Sequence, residues 1–211
     1  MMVKEYLTVE GEGVGTYVEK KSRFIATVFY TEAEDDAKEK IAALRKKYWD
    51  ARHNCYAYVI GADDTIERQS DDGEPSHTAG MPILSALKDS GLRNVCCVVT
   101  RYFGGILLGT GGLTRAYREA AVQGIANSVI KKRMLMCKAV ALTDYAGQSR
   151  MLRILSGEGI EPNETIYGAD GVKIAFHCSE ETFPKLEAAI SEATAGEGRL
   201  MSDCLEYVTI S

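Results

Sequence analysis

Long apolar runs are missing from this sequence. No window approaches the roughly 20 consecutive apolar residues of a membrane helix. The opening Met1-Met2-Val3-Lys4-Glu5-Tyr6-Leu7 carries charge where a signal peptide would have its apolar core. The expectation is a cytoplasmic protein with no membrane partner. Paired cysteines are missing too: there are six cysteines but no Cys-x-x-Cys. A chain of 211 residues without an export signal is not the short secreted scaffold in which cysteines imply disulfides. Cys96 and Cys97 are adjacent in an apolar run and so face opposite sides of a strand, while Cys55, Cys137, Cys178 and Cys204 stand alone. All six read as small buried apolar residues, and neither a metal nor a cofactor is expected.

Proline is scarce, at four residues, and the remaining composition is globular, 45% hydrophobic and 26% charged. The formal net charge of −5 excludes a general coat for nucleic acid. Its distribution is uneven. Residues 90–143 hold eight basic side chains (Arg93, Arg101, Arg115, Arg118, Lys131, Lys132, Arg133 and Lys138) and one acid, Glu119. That segment carries +7 and the remainder −12, an asymmetry that suits an anionic partner.

Periodicity predicts strands at 14–19 and 23–30, a helix over 32–48, a hairpin of 55–60 with 65–68 across a 61–64 turn, a helix over 82–90 and a buried strand at 95–100. A helix over 113–127 places Leu113, Ala116, Tyr117, Ala120, Ala121, Gly124 and Ile125 on one stripe. Lys131-Lys132-Arg133 reads as a linker, which divides the chain into domains at 1–130 and 134–211. In the second, strands at 134–143, 160–167, 172–178 and 199–210 alternate with helices at 146–156 and 180–195. That order, βαββαβ, is ferredoxin-like. Trp49, alone at a helix end, reads as a core anchor, and His177 as structural.

The most informative stretch is Arg101-Tyr102-Phe103-Gly104-Gly105-Ile106-Leu107-Leu108-Gly109-Thr110-Gly111-Gly112-Leu113-Thr114-Arg115. Five glycines between 104 and 112 leave amides uncovered where a helix begins, which makes an anion site. The first turn carries Thr114 and Arg115, with Arg118 following, where an acid would be usual. No Lys-Ser or Lys-Thr follows the glycines, and Thr114 stands where the third glycine of Gly-x-Gly-x-x-Gly belongs, so known nucleotide loops are excluded. The alternative is a tight turn whose arginines pair with the acidic loop Ser70-Asp71-Asp72-Gly73-Glu74-Pro75-Ser76-His77-Thr78-Ala79-Gly80. That loop offers Asp71, Asp72, Glu74 and His77, with His53 nearby, as acid–base candidates. It equally suits a turn at Asp72-Gly73, and Thr78 or Gly80 suits a helix cap. His53 suits either a titrating or a capping role. No nucleophile–base pair is legible, so a non-enzyme is expected, with no assigned catalytic residue.

Four segments together resemble the IMPACT/YigZ family of two-domain bacterial type: Lys21-Ser22-Arg23-Phe24-Ile25-Ala26, Ala51-Arg52-His53-Asn54-Cys55-Tyr56-Ala57-Tyr58, the acidic loop with Pro82-Ile83-Leu84, and Val98-Val99-Thr100 through the glycine stretch to Tyr117. The resemblance implies an α+β fold. Its first domain would be ribosomal-protein-S5-domain-2-like, similar to domain IV of elongation factor G, and its second ferredoxin-like, similar to domain V. It also implies a link with translational regulation, with RNA, the ribosome or translation factors as partners. His77 replaces the family's usual Gly, Met81 a common Arg or Lys, and Leu107 a common Lys, which removes two positive charges near the loop. The first expectation is therefore RNA or ribosome binding, or another phosphate-bearing ligand. Phosphates would meet Arg101, Gly104, Gly105, Gly109, Thr110, Gly111, Gly112, Thr114, Arg115 and Arg118, and bases would stack on Tyr102 or Phe103. The alternatives are a hydrolase-like enzyme acting on a small anion through the acidic loop, and a protein-interaction regulator without nucleic acid.

Overall fold

The computed structural model describes residues 3–63 and 65–210; Met1, Met2, Asp64 and Ser211 lie outside the described residues, and Asp64 takes part of the expected 61–64 turn with it. The fold is α+β, in two compact units: Met1–Arg133 with Thr209–Ser211, and Met134–Val208. In chain order the first contains β1 (Glu5–Glu10), β2 (Glu12–Glu19), β3 (Ser22–Tyr30), α1 (Glu34–Lys47), β4 (His53–Ile60), β5 (Ile66–Ser70), α2 (Gly80–Ser90), β6 (Val95–Tyr102) and α3 (Gly109–Ala126). After it come β7 (Val129–Thr143), α4 (Gln148–Gly157), β8 (Glu164–Gly168), β9 (Gly171–Cys178), α5 (Phe183–Ala193) and β10 (Arg199–Ile210). No helix among the described residues is long and apolar enough to cross a membrane.

The first unit is built on an antiparallel sheet in the order β2-β3-β6-β4-β5. β6 is central and covered on both faces, which is why Val95-Cys96-Cys97-Val98-Val99 is a continuous apolar run rather than an alternating one. Cys97 and Val99 pack in one cluster with Ile83 and Leu87 of α2 and Ala120 of α3. Cys96 and Val98 pack on the opposite face with Ala37, Ile41 and Leu44 of α1. Each of these valine, isoleucine and leucine side chains taken from water is worth about 1.5–3 kcal/mol. Gly15 of β2 lets α3 lie directly on the sheet, since a Cβ there would sit 2.3 Å from the Gly124 nitrogen.

In the second unit the order is βαββαβ, and the strands lie β10-β7-β9-β8, the ferredoxin-like arrangement. Alternate residues of β7, Cys137, Ala139 and Ala141, turn inward onto Met151 and Leu155 of α4 and Leu186 of α5.

Several expectations need correction. β1 was not foreseen. Lys131, Lys132 and Arg133 belong to β7 and not to a linker, each held by an acid: Lys131 by Glu10 at 3.7 Å, Lys132 by Glu5 at 3.1 Å and Arg133 by Glu32 at 2.8 Å. Trp49 is no core anchor, because 82% of it is exposed. Cys204 is exposed, on β10, while the other five cysteines are buried; all six are free thiols. α3 starts at Gly109 rather than 113, so Gly109, Gly111 and Gly112 form its first turn instead of the preceding loop.

Candidate anion-binding site

Residues 71–79 join β5 to α2. Asp72 and Gly73 have φ of +42° and +86°, the left-handed pair of a tight turn. The Asp71 carboxylate accepts from the amides of His77 (2.8 Å), Ala79 (3.0 Å) and Gly80 (2.8 Å). It therefore caps α2 from across the loop, a task expected of Thr78 or Gly80; the Thr78 hydroxyl instead donates to the Pro75 carbonyl at 2.6 Å. Burial pushes the Asp71 carboxyl upward, but the three amides outweigh it and hold the group below the usual carboxylate range. Asp72 accepts from the Asn54 amide at 2.7 Å and from Arg45 at 2.6 Å. His77 sits at φ +64°, a conformation that favours glycine, with its side chain in solvent.

Glu74 is the buried member of the loop. Its Oε1 accepts from Arg101 at 2.6 Å and from the Tyr117 hydroxyl at 2.7 Å. His53 donates through Nδ1 to the Asp72 carbonyl at 2.8 Å, leaving Nε2 4.0 Å from Glu74. Cys55 Sγ lies 2.9 Å from the Asp71 carbonyl oxygen and 3.4 Å from the Tyr117 oxygen. Burial pushes the Cys55 thiol and the Tyr117 phenol far above their ordinary values, so both stay protonated. The arrangement thus orients Arg101 and offers no activated nucleophile. Register places Arg101 there: it pairs with His53 across β4 and β6 and with Phe24 across β3 and β6. The guanidinium lies over two rings, 5.4 Å from the centre of Phe24 and 5.6 Å from that of Phe103.

Beyond β6, Gly104 is pressed onto the turn between β2 and β3. A Cβ there would lie 2.1 Å from the Lys21 carbonyl carbon, and the Gly104 amide donates to Ser22 Oγ at 3.1 Å. α3 then opens with no side-chain cap and no acid in its first turn. A Cβ on Gly109 or Gly111 would meet nothing within 4 Å, so the face of that turn is open. Its first amides have no partner inside the helix and carry the positive end of the dipole. Gly105, Thr110 and Thr114 are exposed, and the Thr114 hydroxyl turns back to the Thr110 carbonyl at 3.0 Å.

The three arginines of the sequence pattern are not brought together. Arg101 is tied to Glu74, Arg118 meets Asp89 of α2 at 2.8 Å, and Arg115 is exposed on the side of α3 facing Tyr17 of β2. Tyr102 is engaged, with Arg23 4.8 Å from its ring centre and its hydroxyl on Asp50 at 2.7 Å, whereas Phe103 is 54% exposed.

Beside the start of α3 lies a cleft of about 160 Å³, lined by Arg52, His53, Arg101, Phe103 and Leu107. Arg101 is its most buried wall, only 7% exposed, and its Nε is buried without a hydrogen-bond partner. Arg52 is exposed and forms no ion pair among the described residues. Sequence reasoning passed over Arg52 and Leu107 as site residues. The signal for Arg52 lay in the strand register, which sets the segment before β4 beside the end of β6.

The Impact N-terminal domain family matches residues 20–125, a span that includes every residue of the cleft and nearly all of α3. The chain is 37% identical over 207 residues to the IMPACT family member YvyE of Bacillus subtilis, covering 98% of this chain and 95% of that protein. It is 42% identical over 131 residues to the IMPACT family member YigZ of Escherichia coli, covering 61% of each. A solved structure, described as the crystal structure of an hypothetical protein, superposes with a TM-score of 0.66 at 29% identity, covering 96% of this chain and 99% of that one.

Proposed function

The chain belongs to the IMPACT family, and on that premise we propose that it is a cytoplasmic, translation-associated regulator that binds RNA phosphates at the start of α3. One observation carries the reading: α3 begins on Gly109, Gly111 and Gly112 with bare amides, no cap and no acid, beside the cleft that Arg52 and Arg101 line. Such a helix end attracts anions, and the exposed Arg52 of the neighbouring cleft adds a charge-assisted donor. Binding is favoured over catalysis because Asp71 and Asp72 are spent on backbone amides and Arg45, and the buried Cys55 and Tyr117 keep their protons.

The test is binding of a ribosomal RNA fragment, followed by anisotropy across a salt series. Affinity should fall steeply as salt rises, as counterion release requires. Gly111→Asp, which puts a carboxylate in the first turn of α3, should weaken binding while the fold is kept. Equal affinity of this variant and the parent would remove the start of α3 from the account.

A further inference from the structure

We infer that the Arg52–His53–Arg101 cleft takes one phosphate of a single-stranded nucleic acid and that Phe103, beside it, stacks the adjoining base. This rests on the phosphate-binding reading above and narrows it to a substrate class. The cleft is a built site, because Glu74 holds Arg101 through one terminal nitrogen at 2.6 Å while the guanidinium, only 7% exposed, forms part of the cleft wall. A guanidinium fixed in this way meets a phosphate oxygen with little loss of side-chain freedom. Arg52 at the rim is exposed and adds a cation with no ion pair among the described residues.

Size limits what enters. About 160 Å³ holds about five waters at ~30 Å³ each, and falls short of the ~300–1,000 Å³ of pockets that enclose whole small molecules. A phosphate with part of its ribose fits, and the base stays outside. What waits outside is apolar: Phe103 is 54% exposed, with the Arg101 guanidinium already over its ring, and Leu107 is 84% exposed. A duplex keeps its base faces stacked on one another, so an open aromatic ring meets a base only in an unpaired strand. Trp49, 82% exposed, lies at the same end of the sheet, since its neighbour Asp50 accepts from Tyr102 next to Phe103. It provides a second stacking surface. Lys20 and Lys21 stand in the turn against Gly104, where the strand would leave.

The experiment uses the full chain with fluorescein-labelled single-stranded oligo(A) RNA and a duplex of equal length, and follows anisotropy and the emission of Trp49. The single strand should bind more tightly than the duplex and quench Trp49. Phe103→Ala should weaken the single strand by about 5- to 150-fold, the range of one lost base stack. Arg52→Ala should lower the salt slope by about 0.7, the value for one phosphate on a single strand. Both substituted side chains are exposed, and thermal melting checks that the fold is kept. If Gly111→Asp weakens binding while Phe103→Ala and Arg52→Ala do not, the cleft is overturned and phosphate binding at the start of α3 stands. Equal affinity for the duplex, or displacement by polyglutamate as effective as by RNA, also overturns the inference. No binding of any RNA removes both readings together.

Discussion

Gly111→Asp separates what α3 needs as a helix from what it does as a site. Gly111 is the third residue of α3, a Cβ there meets nothing within 4 Å, and its φ is not left-handed. An aspartate fits without strain. As a helix residue it outranks glycine by about 0.2–0.4 kcal/mol. Its charge in the first turn, now without any acid, adds about 0.3–1 kcal/mol. The protein should therefore be more stable by about 0.5–1.5 kcal/mol, a rise in Tm of about 1–6 °C for a chain of this size. On the proposed reading the same carboxylate lies against the phosphate. Repulsion at an exposed site costs about 1–2 kcal/mol, which weakens binding by about 5- to 30-fold. Gly111→Asn, uncharged and of equal size, controls for bulk and should leave affinity within about twofold, well inside 1 kcal/mol. Calorimetry and RNA anisotropy on the three proteins give the answer. A stabilised Gly111→Asp protein that binds RNA as tightly as the parent would refute the argument, because the helix end would then be structural only.

Other consequences can be measured together. Glu74→Ala strands the Arg101 charge in the interior and should cost about 3–5 kcal/mol of stability, read by urea denaturation; a cost under ~1 kcal/mol, the scale of exposed pairs, would mean that the pair is not buried in solution. His77→Gly removes a Cβ from a left-handed position and should be neutral or stabilising by up to about 1 kcal/mol, whereas His77→Val should be destabilising. Equal stability of the two variants would contradict the assigned backbone. A thiol reagent added to the native protein at mildly alkaline pH should label Cys204 alone. The other five thiols are buried, and burial pushes Cys97 up to about 12 and Cys178 to about 11; rapid labelling of Cys97 would show the sheet to be open.

The parts of the fold legible in the sequence were those where one physical signal dominated. Val95 to Val99 announced a strand covered on both faces, and Leu113, Ala116, Tyr117 and Ala120 announced a helix lying on a sheet. What misled was residue type read without its partners. Three glycines looked like loop because glycine is a poor helix former, yet at a helix start the packing of the later turns carries the element. Lys131, Lys132 and Arg133 looked like a solvated linker, but strand β7 sets each beside an acid. β1 was hidden by Thr8, a polar residue turned inward to the Asn94 carbonyl. At the site, the local pattern around the glycines was legible and the tertiary part was not. Arg115 and Arg118 share a helix side by spacing, yet Asp89 draws one toward α2 while the other faces β2. Arg52 reaches Arg101 only through strand register.

The most direct measurement is a titration of the isotopically labelled protein with inorganic phosphate, followed by two-dimensional NMR. The Arg101 Nε–H signal and the amides of Gly111 and Gly112 should move together along one saturating curve. Signals that stay fixed there, while shifts gather at Lys131, Lys132 and Arg133 instead, would contradict the account.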